Sequence, residues 1–248
     1  MVTKAITATT VGINAYKIEV EVDVINSLPN ISIVGLPDSA VNEAKERVHS
    51  AIKNSGFSFP LGRVIVNLAP ADIRKEGTNF DLPIAVGILK EQGVNIPDDS
   101  KTAFLGELSL DGTLRRINGV LPLVTGLKEY GIETVFVPLE NAKEAALVQG
   151  INVFGANHLG DIVAHYTDTP IEKTIVDINK YLEENAFTDY TFDFKDVKGQ
   201  QKAKKALEIA AAGGHNLLMT GSPGSGKTMM AKCMASILPP LELQEALE

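Results

Sequence analysis

Eight residues near the end of the chain combine the types that hold a phosphate: Gly221-Ser222-Pro223-Gly224-Ser225-Gly226-Lys227-Thr228. They satisfy G-x-x-x-x-G-K-[ST] at every defined position. Gly221, Gly224 and Gly226 permit backbone torsions that turn successive N–H groups toward one anion, with Ser222, Pro223 and Ser225 in the same cradle. Lys227 is expected to meet the β and γ phosphates of ATP and Thr228 to ligate Mg²⁺. The flanks suit this reading. Asn216-Leu217-Leu218-Met219-Thr220 reads as a short apolar strand before the loop, and residues 229–238 are helix-forming after it.

Other reactive side chains carry weaker signals. Four histidines (49, 158, 165, 215) are scattered without zinc-ligand spacing, so no structural metal is expected. His215, beside the phosphate loop, reads as structural. Cys233 reads as a small buried residue on the helix after the cradle rather than a nucleophile. The turn carrying Asp72, Arg74, Lys75 and Glu76 is expected to be a solvated loop, because balanced charges near turns are usual.

The elements that position these residues emerge from patterning over 248 residues, 44% of them hydrophobic, enough for one or two packed domains. Ile18-Glu19-Val20-Glu21-Val22-Asp23-Val24 alternates as a strand with one buried face. Residues 31–34 read as a second strand, before a helix that Asp38 or Ser39 caps and Gly56 stops. A strand at 63–68 and a helix over 81–92 come next. Runs 104–110 and 113–117 flank Asp111-Gly112 and read as a hairpin with a tight primed turn. Then come helix 120–130, strand 134–137, helix 141–148, strand 152–154 and helix 159–166. The sum is a mixed α/β sandwich, a sheet covered by helices rather than a purely doubly wound sheet. Residues 167–195 are weakly patterned and read as an interdomain connector, with a helix expected over 171–185 and aromatic residues at Tyr190, Phe192 and Phe194.

The formal charge is −8, unevenly distributed. Residues 196–235 hold six lysines against Asp196 and Glu208, a net +4, whereas residues 1–195 carry 17 basic and 26 acidic residues, a net −9. That shift supports a boundary near residue 190. The acidic balance argues against a chain-wide nucleic-acid footprint. One cysteine, no signal-like start and no apolar run of roughly 18 residues point to a cytoplasmic protein without membrane function.

Upstream of the cradle, Asp196-Val197-Lys198-Gly199-Gln200, an Ala-rich helix over 201–212 and Gly213-Gly214-His215-Asn216-Leu217-Leu218 resemble the opening of the AAA+ module of magnesium-chelatase-like ATPases. The resemblance implies that Val197, Gly199 and Gln200 border the adenine pocket. Asn30-Ile31-Ser32-Ile33-Val34-Gly35-Leu36-Pro37-Asp38, residues 64–72 and residues 75–85 are close to signature segments of the YifB/ComM group of that family, so the likeness covers nearly the whole chain. It implies an S5-like domain over 1–167, shared with the proteolytic domain of Lon, a linker over 168–195 and the start of an AAA+ module over 196–248. Lon-like domains use a serine nucleophile and a lysine. Matched to those segments, Asp81 stands at the serine position and Leu121 at the lysine position, so a proteolytically silent domain is expected.

Hydrolysis of ATP also needs an acidic metal-binding strand and an arginine. Neither is recognisable after Thr228, so the chain is expected to be the first part of a longer ATPase with negligible turnover of its own. By the resemblance, the full-length protein is expected to be a hexameric ring motor that processes DNA by branch migration. The alternatives are a chelatase- or chaperone-type remodelling ATPase and a non-enzymatic assembly domain.

Overall fold

The computed structural model describes residues 2–12, 14–177 and 192–239. The chain divides into two compact units, Met1–Val176 and Asp177–Glu248.

In the first unit the alternating acidic stretch forms the middle of β2 (Asn14–Ile25), burying Ile18, Val20 and Val22 while the acidic side chains lie on the half-exposed face. It pairs antiparallel with β1 (Thr3–Val11), from Thr3↔Val22 to Val11↔Asn14. Residues Ala5 to Thr9 of β1 are all buried, because helices cover both faces of this central strand. A strand buried on both faces shows no alternation, which is why patterning missed β1.

The seven-stranded sheet runs β3 (Asn30–Val34), β4 (Arg63–Ala69), β2, β1, β5 (Thr102–Phe104), β8 (Thr134–Pro138), β9 (Asn152–Ala156). The β1–β2 and β2–β4 pairings are antiparallel and the other four parallel. Helices α1 (Ser39–Asn54), α2 (Asp81–Glu91) and α5 (Leu159–His165) share one apolar layer with Val20, Val64 and Val66. Helices α3 (Val120–Glu129) and α4 (Leu139–Ala145) share the other with Ile6, Ala103 and Val135. This is the mixed α/β sandwich that the patterning predicts. The side chain of Asp38 accepts the Val41 N–H and caps α1. None of the described helices is long and apolar enough to cross a membrane.

Four local expectations change. The run 104–110 is not one strand: Gly106 breaks it, its N–H going to the Asn79 carbonyl and its own carbonyl to the Leu82 N–H. Beyond Gly106 the chain forms a separate ribbon, β6 (Glu107–Leu108) against β7 (Leu114–Arg115). Its turn is not primed. A primed Asp-Gly turn needs positive φ at both residues, and only Gly112 has it, at 93°. Ser109 instead donates to the Thr113 carbonyl and accepts from the Gly112 N–H, while the Asp111 carboxylate takes the Thr113 N–H.

The charged turn is only partly solvated: Arg74 and Glu76 pair at the surface, but Lys75 is fully buried with its amine on the Pro70 carbonyl. Aliphatic stem and satisfied head together let a lysine go inside. The helix expected over 171–185 is absent from 171–177, where the chain runs along β9 through Thr174 N–H to Val153 O (2.8 Å) and a Phe154↔Lys173 bridge. Its remainder, and Tyr190, lie outside the described residues.

Helix α2 is buried on all sides from Asp81 to Leu89. Its one charged member among these, Asp81, receives a forked pair from Arg47 of α1, Nε to Oδ2 at 2.7 Å and Nη2 to Oδ1 at 3.0 Å, and the Leu108 N–H of β6 at 3.1 Å. Burial pushes the Asp81 carboxyl up, and the guanidinium opposes it. Gly87 lets α2 lie directly on β2: a Cβ there would stand 2.6 Å from Val22 Cγ2.

Both contacts can be tested through stability. Asp81→Ala strands Arg47 and should cost about 3 kcal/mol, read as a lower urea midpoint at unchanged slope. Gly87→Ala should cost about 1–3 kcal/mol by forcing α2 off the sheet, and adding Val22→Ala should recover part of that loss. An unshifted midpoint in either single variant contradicts the packing described.

Candidate nucleotide-binding site

In the second unit Asp193 caps a 3-10 turn at Phe194–Asp196 by accepting the Lys195 N–H. The chain then passes Gly199 (φ 71°) and Gln200 (φ 53°), both left-handed, to enter α6 (Gln201–Gly213). A non-glycine residue in that region is uncommon and marks a turn held by its surroundings. A second helix, α7 (Lys227–Cys233), starts immediately after Gly226. Val197, Leu207, Met230 and Cys233 form the small buried cluster that joins α6, α7 and the turn before them.

Gly224 and Gly226 adopt φ of 79° and 84°, so the loop needs glycine at both. The Lys227 amine folds back along the loop and donates to the Gly221 carbonyl (3.0 Å), the Ser222 carbonyl (2.8 Å) and Ser225 Oγ (3.3 Å). One cation thus closes the loop across its first five residues. A cleft of about 430 Å³ lies here, and Gln200, Gly221, Ser222, Ser225 and Lys227 are among its lining. Val197 belongs instead to the buried cluster, and Gly199, Pro223, Gly224, Gly226 and Thr228 do not line the cleft. The two glycines shape the backbone rather than the wall.

The cleft also has walls that motif reading did not supply: Ala203 and Ala206 of α6, Met219 and Met230. The signal was the Ala-rich helix, whose small side chains leave room on the face toward the loop. The expected strand at 216–220 is not formed, since none of the described residues pairs with it, and Leu218 is 88% exposed. A strand exists only with a neighbour's hydrogen bonds, so apolar composition alone does not make one. The helix expected over 229–238 begins earlier, at Lys227, and tightens into a 3-10 turn at Met234–Ser236. His215 is exposed rather than packed.

Residues 20–141 match the family described as "Subunit ChlI of Mg-chelatase", and residues 193–248 match "Magnesium chelatase, subunit ChlI". The chain is 41% identical to the uncharacterized protein YifB of Salmonella typhimurium over 98% of its own length and 47% of that protein's. It is equally similar, at 41%, to the competence protein ComM of Haemophilus influenzae over 96% and 47%. Lon protease 2 of Bacillus subtilis is 26% identical over 59% of this chain and 29% of its own. The chain belongs to the YifB/ComM family of magnesium-chelatase-like AAA+ proteins, and it spans about half the length of those two relatives.

Cys233, the chain's one cysteine, is buried in the cluster behind the loop, and burial pushes its thiol up. Disulfide-exchange labelling should therefore be slow in native buffer and become fast when urea opens this unit. Immediate stoichiometric labelling of the native chain would show that the cluster is not closed.

Proposed function

We propose that this member of the YifB/ComM family binds ATP with Mg²⁺ in the cleft between α6 and the glycine loop. The observation that carries the reading is the Lys227 amine, held inside the loop by two backbone carbonyls and a hydroxyl. A phosphate entering the loop offers that cation stronger, charged acceptors than the carbonyls it holds. The loop N–H groups supply the remaining donors, with Gly224 and Gly226 setting their direction. Ala203, Ala206, Met219 and Met230 give the base an apolar wall, and Val197, Gly199 and Gln200 set the turn beside it. Thr228, at the start of α7, is assigned to Mg²⁺.

At the level of the full-length protein, the reading is an ATP-hydrolysing hexameric ring that works on DNA. It rests on the family and on a relative's designation as a competence protein. The region 1–167 is then a silent Lon-like domain, 168–195 the connector and 196–248 the start of the motor module. In-line attack on the γ-phosphate needs a further carboxylate and arginine; the residues assigned here are those of the binding step.

Titration with a fluorescent ATP analogue tests the site. Lys227→Ala should weaken binding by at least about tenfold, and Thr228→Val should abolish the gain in affinity on adding Mg²⁺ while leaving metal-free binding in place. Affinity unchanged by Lys227→Ala would remove the assignment. For the full-length protein, DNA affinity should fall steeply with salt.

A further inference from the structure

The first unit carries a second cleft, of about 470 Å³, which the nucleotide reading does not use. One wall is the face of α1 that bears Lys45, His49 and Lys53; the other is the start of β3, at Asn30 and Ile31, with Pro29 and the segment 59–61. Strand β3 ends the sheet and pairs only with β4 among the described residues, so one row of its N–H and C=O groups faces outward. The His49 and Phe59 rings meet edge to face at 4.6 Å in the lining. Leu61, also in the lining, is 89% exposed, and Leu28, in the turn leading into β3, is 85% exposed.

Charge and spacing select the occupant. Among the described residues, the ion pairs of α1 run from Arg47 to Glu43 and Asp81, leaving Lys45 and Lys53 for an external partner. Lys45 and Lys53 set two cations against the one carboxylate, Glu46, that shares the lining, in a region that is otherwise net acidic. Residues four apart on a helix rise about 6 Å. Side chains two apart on a strand, which share one face, repeat at about 6.6 Å. The side-chain repeat of a strand added beside β3 therefore nearly equals the spacing of Lys45, His49 and Lys53 along α1.

We propose that this cleft is a docking site for an extended peptide segment of a partner protein that adds to the edge of β3 and carries acidic side chains at alternate positions. Backbone pairing to β3 supplies the affinity, the stripe on α1 supplies selectivity for carboxylates, and Leu28 and Leu61 cover an apolar residue at one end. A single-stranded nucleic acid fits less well, because successive bases need exposed aromatic faces, and the lining offers one phenyl ring, Phe59, half-buried against His49.

The test uses the whole chain and three fluorescent probes: a peptide alternating glutamate and threonine and ending in leucine, the same peptide with lysine for glutamate, and oligothymidylate. The glutamate peptide should bind saturably and slow hydrogen exchange at residues 30–34, and the lysine peptide should not bind. The double variant Lys45→Glu, Lys53→Glu should weaken the glutamate peptide by at least about tenfold, with its urea midpoint and ATP-analogue affinity unchanged. No saturable binding of the glutamate peptide, binding that survives the double reversal, or oligothymidylate binding that these lysines control in its place would each overturn the proposal.

Discussion

The Asp81–Arg47 pair is a buried charge contact at which three elements of the first unit meet. It sits at the start of a helix that is apolar and buried from Leu82 to Leu89, and it ties that helix to α1 and, through the Leu108 N–H, to the β6–β7 ribbon. A buried carboxylate is expensive unless its lone pairs are filled. Two guanidinium donors and a backbone N–H fill them, so α2 has one permitted position along the sheet. Gly87 then fixes its height by omitting a Cβ that would collide with Val22.

That arrangement also bears on the likeness to Lon. Asp81 is taken up by Arg47, and Leu121 packs at the border of the apolar layer under α3. Both are used in holding the sandwich together. The same rigid frame leaves β3 as a sheet edge beside α1, with Lys45 and Lys53 outside the ion pairs that Arg47 makes.

The second unit solves a different problem with fewer residues. Its cluster of Val197, Leu207, Met230 and Cys233 is small, and the Lys227 amine closes the glycine loop from within. In the proposed site a phosphate offers that cation charged acceptors in place of neutral ones. On the proposed nucleotide reading, binding there exchanges partners for Lys227 rather than ordering a free side chain.

Much of this was legible in the sequence because the relevant chemistry is local. Alternation marked β2, the Asp38 cap marked α1, and glycines at 224 and 226 with Lys227 marked the loop, each within a few residues. Sequence by itself determined which segments take helix or strand periodicity on one-sided surfaces and where the glycine loop turns through left-handed Gly224 and Gly226. It could not show β1, whose two buried faces erase alternation, nor the interior position of Lys75, which depends on a carbonyl five residues away in a folded turn. It predicted a strand at 216–220 that lacks a paired neighbour among the described residues, and a primed turn where Ser109, Asp111 and Thr113 choose another. Only the tertiary structure decided that Asp81 meets Arg47 from 34 positions away, and that Ala203, Ala206 and Met230 wall the cleft. The physical reason is the same in each case: burial and pairing are properties of neighbours, and the neighbours are set by the fold.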